Sequence, residues 1–206
     1  MVEKAEGVST AKELVIICLT GMPGAGKSTV ARSLKEKGFP VITMGDVIRE
    51  EAMRLNLDLN DSNLGKLMVR LREEFGQGAV AELVVKKIDS TLISKRNEDN
   101  AILVVDGIRS IAEVNVLNRV GQVRLLAIHA SSHVRFVHLK ERGRTDAPLF
   151  QSDFMERERR ELDVGISEVI ALADEVISNN RLTISQLKAN SFEIVMKWID
   201  SMKLNS

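Results

Sequence analysis

The chain has 206 residues, 44% hydrophobic and 28% charged, with Lys+Arg and Asp+Glu balanced at 29 each. This fits one soluble globular domain and leaves no global field drawing the chain to nucleic acid or an anionic membrane, so any basic site has to be local. No apolar run approaches the roughly 18 residues a membrane-spanning helix needs. The one cysteine, Cys18, sits inside an apolar run and reads as a reduced core thiol, so a cytoplasmic protein without membrane attachment is expected.

Residues 1–12 read as a polar tail without an apolar signal core, and 13–206 as a single domain lacking repeats and low-complexity linkers. A first strand is predicted at "LVIIC" (14–18), and "GMPGAGKST" (21–29) leads from it into a helix. A second strand follows at "PVITM" (40–44). Residues 46–97 hold two or three helices where one crossover would suffice. One apolar stripe there runs through Leu64, Leu67, Met68 and Leu71, and another through Val80, Leu83, Val84, Ile88 and Leu92. The third strand, "AILVV" (101–105), ends in Asp106; a helix then opens with Ser110 three residues ahead of Glu113, a capping-box pattern. A fourth strand is "VRLLAIH" (123–129) and a fifth "EVIS" (175–178), separated by a polar stretch, 143–164, that contains Pro148. The final helix opens with Thr183 three residues before Gln186 and places Leu187, Ile194, Val195, Trp198, Ile199 and Met202 at helical spacings.

Apolar, β-branched strands alternating with helices predict an α/β fold. It is a three-layer αβα P-loop NTPase architecture with a mainly parallel five-stranded sheet. Segments 46–97 and 143–164 are then insertions over the sheet edge, where doubly wound folds bind ligands.

Gly21, Met22, Pro23, Gly24, Ala25, Gly26, Lys27 and Ser28 match the phosphate-loop pattern G-x-x-x-x-G-K-[ST] in full. The glycines let successive N–H groups turn inward as an anion nest, and the following helix adds the positive end of its dipole. Lys27 is placed to reach the β- and γ-phosphates of ATP, Ser28 to ligate Mg²⁺, and Thr29 to contact the α-phosphate. The partner of Ser28 on the metal is expected at the end of a buried strand, which selects Asp106. His129, His133 and His138 have no metal-ligand spacing or accompanying Glu or Cys cluster, and the scattered Phe and Met residues read as core.

Three further stretches narrow the class: "ITMGDVIREEA" (42–52) with Gly45, Asp46 and Arg49, "DGIR" (106–109) with Arg109 beside the metal position, and "ALADEVISNN" (171–180). In these the chain resembles the small P-loop kinases of nucleotide metabolism. "ITMGDVIRE" looks like the adenylate-kinase stretch whose Asp and Arg hold the acceptor nucleotide. "VVDGIR" looks like the motif placing an arginine on the acceptor phosphate, and "ADEVISNN" is similar to the dephospho-CoA-kinase segment framing the adenine. As a whole, the resemblance is to the archaeal adenylate-kinase-related and dephospho-CoA-kinase-like group. Ser28 in place of the usual glycine, Met44 in place of a hydroxyl residue and an arginine two positions after Asp-Gly depart from adenylate kinases and put AMP in doubt as acceptor.

The resemblance implies transfer of the γ-phosphoryl group of Mg-ATP to a small-molecule acceptor of the nucleoside monophosphate or dephospho-CoA type. Asp46, Arg49, Arg70 and Arg109 are the candidate acceptor-binding residues, with Asp46 as base or orienting group. Residues 140–160 carry Lys140, Arg142, Arg144, Arg157, Arg159 and Arg160, a composition suited to a lid; Arg142 and then Arg157 are expected over the phosphates. Lys27, Asp46, Arg109, Arg142 and Arg157 form the expected catalytic set. The alternative is a slow ATPase acting through a partner, for instance in RNA or ribosome assembly. A GTPase is disfavoured by the absence of an N-K-x-D guanine signature.

Overall fold

The computed structural model describes residues 14–92, 101–141 and 150–203. Along the chain these form β1 (Leu14–Thr20), α1 (Lys27–Glu36), β2 (Val41–Thr43), α2 (Met44–Arg54), α3 (Asp61–Phe75), α4 (Ala79–Leu92) and β3 (Ala101–Ile108). There follow α5 (Ile111–Asn118), β4 (Gln122–His129), α6 (Ser132–Glu141), α7 (Gln151–Val164), α8 (Ile166–Ala171), β5 (Glu175–Ser178) and α9 (Ile184–Lys203). The five strands make one sheet in the order β2-β3-β1-β4-β5, and every pairing is parallel. The chain builds outward from β1 to one side through β2 and β3 and then to the other through β4 and β5. That change of direction opens a crevice at the carboxyl end of β1.

Alternation along β1 divides the core. Ile16 and Cys18 face a layer built by α2, α3, α4 and α5, while Val15, Ile17 and Leu19 face α1 and α9. Both faces are apolar because both are covered, so β1 carries an unbroken hydrophobic run rather than an alternating one. Cys18 is fully buried, and burial pushes its thiol far above the usual range, leaving an inert core group. The stripes expected in the helical insertion are the surfaces that pack: Leu67 and Leu71 of α3 and Val80, Val84, Ile88 and Leu92 of α4 are buried. Among the described residues that segment holds α2 to α4.

Three strands end away from the expected residue, β1 running on to Thr20. β2 stops at Thr43 because Met44 is drawn into the core, 2% exposed, and opens α2. β3 instead runs on past Asp106 to Ile108. Its register with β1 is one to one as far as Leu19 opposite Asp106, then skips to Thr20 opposite Ile108. The extra residue is Gly107, at φ +105°, where a β-bulge turns the strand. Thr20 Oγ1 secures the bulge by donating to the Ile108 carbonyl at 2.9 Å. The expected capping box at α5 forms in both directions, Ser110 Oγ accepting from Glu113 N and Glu113 accepting from Ser110 N. Thr183 and Gln186 do the same at the start of α9.

Candidate active site

The loop at 21–26 joins β1 to α1 across the crevice. A Cβ on Gly21, whose φ is +139°, would stand 2.1 Å from the Ile128 carbonyl oxygen, so only glycine lets the loop leave β1 against β4. Three side chains from distant parts of the sequence grip the loop's outer side. Arg135 Nη1 donates to the Pro23 carbonyl at 3.4 Å, His138 Nδ1 lies 3.0 Å from the Gly24 carbonyl, and Asn179 Nδ2 donates to the Ala25 carbonyl at 2.9 Å. In a trans peptide the carbonyl and the next N–H point oppositely, so holding Pro23 and Ala25 outward turns the N–H groups of Gly24 and Gly26 the other way. α1 begins after Gly26 with no side-chain cap, so no side chain there competes with an anion for the helix's first amides.

Lys27 Nζ donates to the carbonyls of Gly21 and, at 3.2 Å, Met22. Burial lowers its pKa to about 8, against the upward pull of Asp106 and Glu161, and Arg109 and Arg157 add to the lowering. Asp106, 6% exposed, has its carboxyl pushed upward, chiefly by burial; Lys27 and Arg109 oppose the shift and Asp46 adds to it. Its Oδ1 is buried without a hydrogen-bond partner. A buried carboxylate oxygen without a donor, coupled to the lysine that opens α1, is the donor chemistry a hard divalent cation takes.

The cleft around these groups has a volume of about 750 Å³. Besides the loop, Ser28, Thr29 and Arg32 line it from α1, Arg109 from the end of β3, and Arg157 and Glu161 from α7. Asn179 to Leu187 close the side beside α9 with apolar Leu182 and Leu187. Arg109 is fixed on three sides. Its Nε pairs with Glu161 Oε2 at 2.9 Å, its Nη1 reaches Met68 Sδ at 3.3 Å, and its backbone N–H donates to Glu113 Oε2 at 2.7 Å. Glu113 is fully buried and paired with Arg72 of α3 at 3.3 Å; burial pushes its carboxyl upward, opposed by its bonds to Arg109 and Arg72.

Of the expected site residues, the structure brings the phosphate loop, Ser28, Thr29, Arg109 and Arg157 to this cleft, and it leaves Asp106 buried close enough to couple electrostatically to Lys27 and Arg109. Asp46 and Arg49 stand at the start of α2 and pair with each other at 2.6 Å, both well exposed. Arg70 pairs with Glu74 at 2.7 Å on an exposed face of α3. Arg142 and Arg144 lie outside the described residues, as does the first part of the 143–164 segment. Its remainder is α7, which is docked: Phe154 is 2% exposed and meets Phe136 edge-on at 5.3 Å. Lys140 Nζ lies over the Phe136 ring, and Arg159 and Arg160 face solvent.

The sequence reading missed Arg135. It occupies an apolar position of α6, buried four residues before Leu139, and pairs with Glu158 of α7. Its place in that stripe was the available signal. Asn179, in the segment expected to frame a base, lines the cleft and also braces the loop. Among the described residues no cluster of three His, Cys, Asp or Glu side chains could hold a metal, and no helix is long and apolar enough to cross a membrane.

A five-stranded parallel sheet with a glycine-rich loop, lysine and helix N-terminus at its switch point defines a P-loop nucleotide-binding protein of the kinase-like architecture. Residues 20–149 match the family described as AAA domain. The chain is 42% identical over 189 residues to the UPF0200 protein of Pyrococcus furiosus, covering 90% of this chain and 98% of that one. It is 39% identical over 189 residues to the UPF0200 protein of Methanocaldococcus jannaschii, covering 92% and 89%. It belongs to the UPF0200 family. Shikimate kinase from Bacteroides thetaiotaomicron shares the fold at a TM-score of 0.57 and 17% identity, over 90% of this chain and 98% of that one. TT1252 from Thermus thermophilus does so at 0.53 and 19%, again over 90% and 98%.

Proposed function

We propose that this protein is an ATP-dependent phosphotransferase, moving the γ-phosphoryl group of Mg-ATP to a nucleotide or nucleotide-like small molecule. The observation that carries the reading is the convergence of Lys27, Arg109 and Arg157 on one cleft beside the phosphate loop, with the buried Asp106 carboxyl electrostatically coupled to Lys27 and Arg109. A slow hydrolase needs the loop and the metal ligand. Two arginines on the wall facing the loop suit a second anionic reactant.

In this reading the N–H groups of the loop and the start of α1 hold the β-phosphate, Lys27 Nζ leaves its carbonyls for the β- and γ-oxygens, and Thr29 contacts the α-phosphate. Ser28 and Asp106 hold Mg²⁺, which supplies charge neutralisation at the phosphates. The acceptor oxygen bonds to the γ-phosphorus as the bond to the β–γ bridging oxygen breaks and ADP leaves. An alcohol acceptor gives its proton to a carboxylate, for which Asp46 is the candidate; a phosphate acceptor has none to give. Arg109 holds the acceptor's anionic group, with Arg49 and Arg70 available if α2 and α3 shift. Arg157, with Arg142, stabilises the charge of the moving group.

The partner-dependent ATPase remains the second reading because Asp46 is neutralised by Arg49, and Arg70 by Glu74. ADP release measured across nucleoside monophosphates, nucleosides and dephospho-CoA, with products identified by mass, separates the two. One phosphorylated acceptor supports the kinase. Background ADP release throughout, raised only by RNA or a protein, supports the alternative.

A further inference from the structure

We propose that Glu161 is an intramolecular stand-in for the acceptor's anionic group, occupying Arg109 until a substrate carboxylate or phosphate replaces it and frees α7 from that wall. The proposal rests on the phosphotransferase reading for the identity of the incoming anion as acceptor, and on the geometry of α7 for the exchange.

Glu158 and Glu161 lie three residues apart, on one face of α7. They pair with arginines from different elements: Glu158 with Arg135 of α6, which also donates to the phosphate loop, and Glu161 with Arg109 at the end of β3. The two pairs differ in permanence. Arg135 is 7% exposed, also donates to the Ala130 carbonyl at 2.9 Å, and stacks 5.5 Å from the Phe154 ring. Arg109 is 28% exposed, and both it and Glu161 line the cleft whereas Arg135 and Glu158 do not, so an anion entering the cleft meets this pair.

The Arg109 side of the exchange is built to stay in place. Met68 touches its guanidinium, and Glu113, itself tied to Arg72, holds its backbone. When Glu161 leaves, the arginine keeps its position and its Nε–H donates to an oxygen of the incoming anion. The exchange replaces one oxyanion by another at Arg109, so the guanidinium stays paired throughout. A neutral acceptor has nothing to offer Arg109 and leaves the strap shut. The acceptor is therefore an oxyanion, and its arrival loosens α7 at one end while Glu158 and Arg135 retain the other.

The test needs no turnover. With the phosphate loop saturated by Mg²⁺ and a non-hydrolysable ATP analogue, inorganic phosphate is titrated calorimetrically into the full chain and into Glu161→Gln. Removing the competing carboxylate is expected to tighten phosphate binding roughly tenfold or more. Glu141→Gln removes the same charge from the same cleft and is expected to change affinity by no more than about twofold. Adding Arg109→Met to Glu161→Gln is expected to abolish the gain. Acetate titrated in place of phosphate tells a carboxylate site from a phosphate site. In the wild-type chain phosphate is expected to speed amide exchange in α7. Equal affinity in wild type and Glu161→Gln, or an equal gain in Glu141→Gln, overturns the stand-in. Such a failure, together with a phosphorylated product in the acceptor panel, leaves the kinase reading standing. A gain in Glu161→Gln without any phosphorylated product leaves the exchange standing and removes the kinase.

Discussion

Arg135→Met removes the charge that joins the phosphate loop to α7 while keeping a side chain of similar length. The arginine donates to the carbonyls of Ala130 and Pro23 and to Ser132 Oγ, and it pairs with Glu158. Its loss leaves Glu158, 19% exposed, without the guanidinium and with the Ser132 hydroxyl donating at 2.7 Å. Stripping one partner from a fully buried pair costs about 3–5 kcal/mol; water at Glu158 reduces this to about 2 kcal/mol. For a chain of this size that is a fall in Tm of about 4–8 °C. The Pro23 carbonyl also loses its outside donor, so analogue affinity should fall about fivefold, the worth of one modest hydrogen bond. Urea denaturation and calorimetric titration of Mg²⁺ with an ATP analogue read the two effects, and Arg135→Lys should recover part of the stability. Stability within about 0.5 kcal/mol of wild type for Arg135→Met would refute the claim that this pair clamps α7 to the loop.

Gly21→Ala is expected to cost about 2–4 kcal/mol, because its methyl collides with the Ile128 carbonyl at a backbone angle L residues avoid; thermal denaturation reads it, and an unchanged Tm contradicts the packing at this turn. Asp106→Asn should raise the nucleotide-free Tm while removing the Mg²⁺ dependence of analogue binding. The folded carboxyl's pKa is raised, so its ionisation costs stability once the pH climbs above the unfolded value of 3.8, and the amide escapes that cost. For Lys27 the folded pKa is depressed to about 8 from 10.5, so the unfolded chain binds the extra proton between those values. Wild type should gain stability relative to Lys27→Met as the pH rises from 8 towards 10.5, while its analogue affinity falls above pH 8 as the ammonium is lost.

What the sequence disclosed was local or periodic. The phosphate loop is a contiguous motif whose residues each answer to backbone geometry or charge, and β1 and β3 show as apolar runs because both faces of the sheet are covered. Asp106 stands out as a charge closing such a run. The missing parts are pairings across long separations. Nothing near Arg135 announces Glu158, 23 residues on, and nothing near Asn179 announces Ala25, 154 residues back. Arg109 was visible as a cation after Asp-Gly, but its restraint by Met68 and Glu113 depends on how α3 packs on the sheet. The bulge at Gly107 escaped because a single added residue leaves the apolar pattern before it unchanged. Asp46 and Arg49, read as two functional groups, are spaced to pair along one helix, a local alternative that sequence spacing alone also allows.

The most direct test of the central claim follows the γ-phosphate itself. ATP labelled in that group is incubated with the full chain, Mg²⁺ and each candidate acceptor, and the label is located by mass, with Lys27→Ala as the control. The account predicts label on an organic acceptor in the wild-type reaction and none with Lys27→Ala. Label found only in inorganic phosphate, whichever acceptor is offered, would contradict it.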